Sequence, residues 1–220
     1  MNRHRMNGRD REQWAAACTL AEVGELTARW LEGGIASQPG YYGTSDIEDP
    51  ALVPLLAKLN RARFVTTGSQ IGILKRDGEG TSAEQRAAVE GFASWAVAER
   101  IETAAVHADL IAIVHDPAYL PRWRYYYGEA QVVTKVNGQR LTCFGVQVPR
   151  RHIRDPYLGY GICRRGAVKD LCNAWQVTVI DPEWGRPDAL WRTLAEVALP
   201  SFARRHHIVV QSAPPEGDDE

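Results

Sequence analysis

The chain has little with which to staple itself. Its four cysteines are Cys18, Cys143, Cys163 and Cys172. None form a C-x-x-C pair, and the nearest two are nine positions apart. Structural zinc takes paired ligands at short spacing, so no metal site is expected. The four thiols read as buried and reduced, as in a cytoplasmic protein. No apolar run approaches the roughly 18 residues of a membrane helix. Residues 1–11 are polar and basic, which excludes a secretory leader and points to a cytoplasmic location. An excess of one charge sign is also missing: 26 basic against 27 acidic residues leaves a net −1. That excludes a generally cationic nucleic-acid binder. What remains is an ordinary globular composition, 220 residues and 45% hydrophobic, and such a chain needs no metal or disulfide to fold.

The periodicity predicts a flexible basic arm over 1–10, one α+β domain over 11–211 and a disordered acidic tail over 212–220. Apolar spacing from Trp14 to Trp30 predicts one helix over 11–32, stopped by Gly33-Gly34. Asp49-Pro50 opens a short helix with a leucine stripe. Arg63-Phe-Val-Thr-Thr67 reads as a strand running into a glycine-bounded loop, Gly68 to Gly72. Ser82 with Gln85 three places on has the form of a capping box, predicting a helix over 83–101. Residues 104–115 read as a long strand. Asn137-Gly138 predicts a two-residue hairpin turn with Val136 opposite Gln139, Thr134 opposite Leu141 and Val132 opposite Cys143, that face turned to the core. Trp175–Ile180 is a further strand, a helix follows Pro187, and 207–211 adds a last strand. Helices mixed with strands and a tight hairpin predict an α+β fold with a mixed or largely antiparallel sheet.

One segment gathers small polar side chains where a strand ends. Thr66, Thr67, Ser69 and Gln70 cluster there, and Gln85 and Arg86 fall in the first turn of the expected helix. Strand ends often bind ligands, and helix N-termini favour anions. The six residues therefore predict a ligand site for a small phosphate- or carboxylate-bearing molecule, built from the 66–72 loop and the N-terminus of helix 83–101. The pattern is neither a Walker A loop nor a nucleophile elbow. It names no reaction, no catalytic residue and no cofactor.

The same residues carry a resemblance. Leu59-Asn60, Thr66-Thr67-Gly-Ser69-Gln70 and Gln85-Arg86-Ala87 resemble an uncharacterised actinobacterial and phage protein family, a domain of unknown function with a TTxSQPG-like loop and a QRA helix. Leu26–Gly34 and Asp181-Pro-Glu-Trp-Gly-Arg186 are similar to it as well, so the likeness covers nearly the whole chain. Ile71 stands where that pattern has proline. Arginine outnumbers lysine 22 to 4, a bias of GC-rich genomes that fits such a source.

Two further features stand out. His107, Asp109 and His115 share one side of the expected strand, with Asp109 too far from His107 for a direct hydrogen bond and the two histidines too far apart to share a metal without a third element. Residues 119–155 hold seven basic side chains against two acidic ones, a net of +5, and six of the eight tyrosines lie within 119–160. Aromatic and basic residues together suit single-stranded nucleic acid. Two alternatives to a small-molecule binder or enzyme follow: a nucleic-acid-binding protein using 119–160, and a non-catalytic protein-interaction module of a phage or mobile element.

Overall fold

The structure, a computed structural model, describes residues 6–41, 43, 45, 47–76, 81–121, 124–158 and 163–198. The chain opens with helices. Asn7 caps α1 (Gly8–Ala16) by accepting the Asp10 N–H at 2.8 Å. The arm expected over 1–10 is thus cut short. Asp10 is buried and its Oδ2 accepts the Ala36 N–H at 3.0 Å. The single helix expected over 11–32 is two. Ala17 turns extended, and Thr19 restarts the chain as α2 (Leu20–Leu31) through a capping box with Glu22. Trp14, Ala17, Leu20 and Val23 enter one core, so their spacing reads as continuous although the backbone breaks. Asp49 and Pro50 start a short 3-10 turn that leads into α3 (Val53–Arg61), as expected.

Eight strands follow: β1 (Phe64–Gln70), β2 (Ile73–Arg76), β3 (Ser82–Gln85), β4 (Ala88–Ala93), β5 (Ile111–His115), β6 (Gln131–Val136), β7 (Gln139–Phe144) and β8 (Trp175–Ile180). Helix α4 (Trp95–His107) precedes β5, α5 (Arg150–Leu158) and α6 (Arg165–Cys172) precede β8, and α7 (Ala189–Val197) follows it. The strands form two antiparallel sheets of four, ordered β1-β4-β8-β5 and β2-β3-β6-β7. The fold is α+β with antiparallel sheets.

The helix expected over 83–101 is overturned. Ser82–Gln85 pairs with β2 and β6, and the Ser82 N–H donates to Asn137 Oδ1 at 2.8 Å instead of entering a capping box. Ala88–Ala93 lies between β1 and β8 and is buried on both faces apart from Glu90. A strand covered on both sides reads as an unbroken apolar run, which the sequence does not distinguish from a helix. Gly91 settles the matter locally. A Cβ there would stand 2.2 Å from the Val65 carbonyl oxygen, so the two strands approach closely only at glycine. The real helix starts at Trp95 and takes the first third of the expected 104–115 strand. Asp109, at φ 54°, turns the chain into the shorter β5.

The hairpin forms with Asn137 and Gly138 both at positive φ, as a type I′ turn requires. Val136 faces Gln139 and Val132 faces Cys143, as expected. An irregularity then pairs Thr134 with Thr142 rather than with Leu141. The expected core face is wrong as a result. Leu141 is 69% exposed, and Val133 and Phe144 are buried instead. Cys143 is exposed and Cys18 half-buried, so only Cys163 and Cys172 match the expected buried thiols. The strand expected over 207–211 and the tail over 212–220 lie outside the described residues.

The first sheet is the middle layer. Val89, Val177 and Val179 face the helices and join the large core with Val23, Leu59, Ile101 and Leu194. Ala88, Ile113 and Ile180, from the same strands, pack with Val133 and Phe144 of the second sheet. Among the described residues no helix is long and apolar enough to cross a membrane.

Candidate ligand cavity

The six residues expected to form one site divide into two groups. Gln70, Gln85 and Arg86 join the sheets. Gln70 Nε2 donates to the carbonyls of Arg86 (2.9 Å) and Val133 (3.1 Å), and its Oε1 accepts from Thr134 Oγ1 at 3.3 Å. Gln85 Nε2 donates to Glu48 Oε2 (2.7 Å) and to the Ile71 carbonyl (2.9 Å). Both amides are buried and hydrogen-bonded within the protein, as buried polar groups must be.

Arg86 lies over the Trp184 ring at 4.4 Å, and Lys135 Nζ approaches the same ring at 4.3 Å. Burial pushes the Arg86 guanidinium below its usual range, and its Nε is buried without a hydrogen-bond partner. With the helix gone, no helix N-terminus stands beside it. Trp184 belongs to a strap that crosses both sheets. Asp181 N–H donates to the Ala87 carbonyl and Gly185 N–H to the Gln85 carbonyl, each at 2.9 Å. Arg186 grips the fully buried Asp181 with two bonds of 2.7 Å. Ser69 lies in the β1–β4 ladder opposite Val89.

Thr66 and Thr67 go elsewhere. The ladder slips between Thr66 and Gly68, a bulge that re-aims the side chains at the sheet edge. Both threonines line a cavity of about 350 Å³ beside β1. Gln38 and Tyr41 close one side, His152 and Tyr157 of α5 another, and Glu90 and Phe92 of β4 complete the wall. The volume is that of a small-molecule site. A larger cavity, about 430 Å³ between the starts of α2 and α4, has Asp170 as its carboxylate, which already accepts the Leu20 N–H at 3.2 Å.

Glu90 is the unusual group in the smaller cavity. Burial raises its carboxyl above the ordinary range, opposed only by a long hydrogen bond from Gly145 N–H at 3.4 Å. No lysine or arginine lines the cavity, and Glu90 has no ion pair among the described residues. Gly68 stands opposite Glu90, where a Cβ would meet Phe144 at 3.3 Å and the Glu90 side chain at 3.4 Å. Gly145 has φ 83°, and its carbonyl meets His115 Nε2 at 3.1 Å. The peptide that holds His115 thus adjoins the one that holds Glu90.

His115 is buried and also lies 3.7 Å from Glu129. It does not share a strand face with His107, which ends α4. Tyr157 is raised by burial, and Cys163 beside it is pushed up to about 12 by the same cause. Neither is an ionised nucleophile at neutral pH. His152 packs on Tyr125 with centroids 4.7 Å apart. No group of three His, Cys, Asp or Glu able to hold a metal occurs among the described residues.

Sequence reasoning missed Glu90, the one acidic residue lining the cavity among the described residues. Its signal was present as a lone carboxylate within Ala-Ala-Val-Glu-Gly-Phe-Ala, an otherwise apolar strand. Read as a helix, that position faces solvent. Read as a central strand, it is half-buried among apolar neighbours and demands a reason.

A family model described as "Domain of unknown function (DUF6919)" matches residues 9–200. The chain belongs to that family, and the expectation of a domain of unknown function over nearly its whole length holds. No curated protein matches the chain.

Proposed function

We propose that this DUF6919 chain binds a small organic cation or hydrogen-bond donor in the cavity beside β1, with Glu90 as the anchor. The observation behind it is a carboxyl raised by burial in a wall that has no lysine or arginine among the described residues. A half-buried carboxylate without an ion pair among the described residues is costly, and a bound ammonium lowers that cost. Tyr41, Phe92 and Tyr157 offer ring surface to the apolar or cationic part of a ligand. The hydroxyls of Thr66 and Thr67 offer polar contacts at the bulge.

The phosphate or carboxylate expected from sequence loses its support. The helix N-terminus does not exist, and Arg86 lies outside the cavity wall. Thr66 and Thr67 stay in the proposed site; Ser69, Gln70, Gln85 and Arg86 leave it. A carboxyl that burial raises above its ordinary range also suits proton transfer to a bound ligand.

The test is a melting-temperature series with tetramethylammonium and ethanolamine against acetate and inorganic phosphate. The amines raise the parent's Tm and leave Glu90→Gln unmoved, whereas the anions raise neither. Equal shifts in Glu90→Gln, or a shift produced by phosphate alone, overturn the assignment.

A further inference from the structure

A second surface stands apart from the cavity. The described residues include nine exposed large apolar side chains, and four of them fall within nine positions: Tyr119, Tyr125, Tyr126 and Tyr127. Tyr119 is 80% exposed and Tyr127 is 64% exposed. A cluster of exposed rings is a binding feature, unlike rings scattered singly.

Described residues on both sides of 122–123 are tied to the fold. Tyr126 exchanges both backbone hydrogen bonds with Gln147 (3.2 and 2.9 Å), and Arg150 N–H donates to the Pro121 carbonyl at 3.1 Å. Val148, next to Gln147, is gripped by the Gln176 side chain through bonds of 2.7 and 2.8 Å. The tyrosines and the start of α5 therefore form one preorganised surface, stitched further by the Tyr125–His152 ring contact.

Charge follows the rings. Arg124, Arg150, Arg151 and Arg154 are exposed on this surface. Of the nearby carboxylates, Asp155 is held by Arg151 at 3.2 Å and Asp116 caps the turn at Ala118 with a bond of 2.7 Å. Glu129 lies beside His115. No salt bridge joins Arg124, Arg150 or Arg154 to a carboxylate among the described residues.

We infer that Tyr119, Tyr125, Tyr126 and Tyr127, with Arg124, Arg150 and Arg154, bind single-stranded nucleic acid, bases stacking on the tyrosines and phosphates meeting the arginines. Exposed aromatic faces beside guanidiniums that no carboxylate among the described residues holds match that polymer in both its flat apolar bases and its repeating anionic charge. A duplex hides its base faces and has no use for the rings. This inference does not rest on the cavity, and its variants avoid His152, which belongs to both surfaces.

The test is fluorescence anisotropy of the full chain with a labelled oligothymidylate and with the matching duplex. Binding to the single strand weakens with salt, with a log–log slope of about −0.7 per phosphate contacted. Tyr127→Ala weakens it about tenfold, within the range for loss of one stacked base. Arg154→Ala weakens it and makes the salt slope shallower. Circular dichroism melts confirm that both variants fold. Binding that ignores salt, equal affinity for the duplex, or variants that bind like the parent each overturn the inference. So does an absence of oligonucleotide binding while Tyr127→Ala dissolves a self-associated form seen by light scattering, which makes the surface a protein contact.

Discussion

Asn60 holds Thr66 at two points. Its Oδ1 accepts the Thr66 N–H at 3.0 Å, and its Nδ2 donates to Thr66 Oγ1 at 2.7 Å. The same Nδ2 also donates to the Leu56 carbonyl at 2.8 Å. Asn60 is fully buried, so α3 and β1 are joined through one amide. Asn60→Ala removes all three bonds and leaves the N–H and hydroxyl of half-buried Thr66 without their partner. It is expected to cost about 3 kcal/mol in urea unfolding, from the penalty for stranded polar groups. It also releases the Thr66 hydroxyl at the cavity wall. Stability unchanged from the parent refutes this role.

Glu90 gives the molecule a pH signature. Its folded-state carboxyl is raised above the unfolded value, so the native state holds the proton more tightly. That contribution is fully present below the unfolded pKa and is lost as pH rises through the folded one. The parent therefore loses stability from acid toward neutral pH at this site, and Glu90→Gln does not. The gap between the two melting curves widens with pH, by about 1.4 kcal/mol for each unit by which the carboxyl is raised. Parallel pH profiles count against a buried, unpaired carboxyl. Affinity for a bound amine runs the opposite way, rising with pH as Glu90 ionises.

Arg186 and Asp181 form the strongest ion pair in the strap. Asp181 has no exposure, whereas Arg186 is about a third exposed. Arg186→Ala leaves a buried carboxylate without its fork and is expected to cost about 3 kcal/mol, as broken buried pairs do. Asp181→Asn costs less, because it strands no charge. Denaturant midpoints compare the two; the reverse order removes the strap from any list of stabilising features.

Two positive-φ glycines separate strain from crowding. Gly138 has open space where a Cβ would stand, so Gly138→Ala costs about 1 kcal/mol, the left-handed penalty alone. At Gly145 a Cβ would also meet Ile113 Cδ1 at 2.5 Å. Gly145→Ala is therefore expected to cost about 3 kcal/mol, strain and overpacking together. It should also displace the N–H that holds Glu90, shifting the pH profile above. Equal losses at the two positions refute the distinction.

Much of the fold is legible where one local signal decides the backbone. Asn137-Gly138 dictates its turn, Asp49-Pro50 its helical start, and the alternation in Trp175–Ile180 its strand. The failures come where tertiary packing outvotes a local signal. Ser82 and Gln85 satisfy a capping box on paper, yet strands on both sides claim their backbone. The candidate site suffered from that same error. Placing Gln85 and Arg86 at a helix start made an anion pocket, and hid Glu90 on an imagined solvent face. Thr66 and Thr67 line the cavity of the proposed site, and their expectation from sequence does not depend on the overturned helix, because a strand end with small hydroxyls reads the same in either fold. His152 and Tyr157 reach the cavity from α5, more than 80 positions along the chain, a closeness that spacing alone does not encode.

The crossing between the sheets has a consequence for how the molecule comes apart. β1 passes into β2 through Ile71 and Gly72, and β3 into β4 through Arg86 and Ala87. Since β1 pairs β4 and β2 pairs β3, the four strands are one long ribbon bent at its middle. The Asp181–Arg186 strap is tied to that bend. Half the strands of each sheet are thus halves of a shared object. Peeling one sheet away pulls on the backbone of the other, so the cavity wall beside β1 shares the fate of β2 and β3, and through β3 of its neighbour β6.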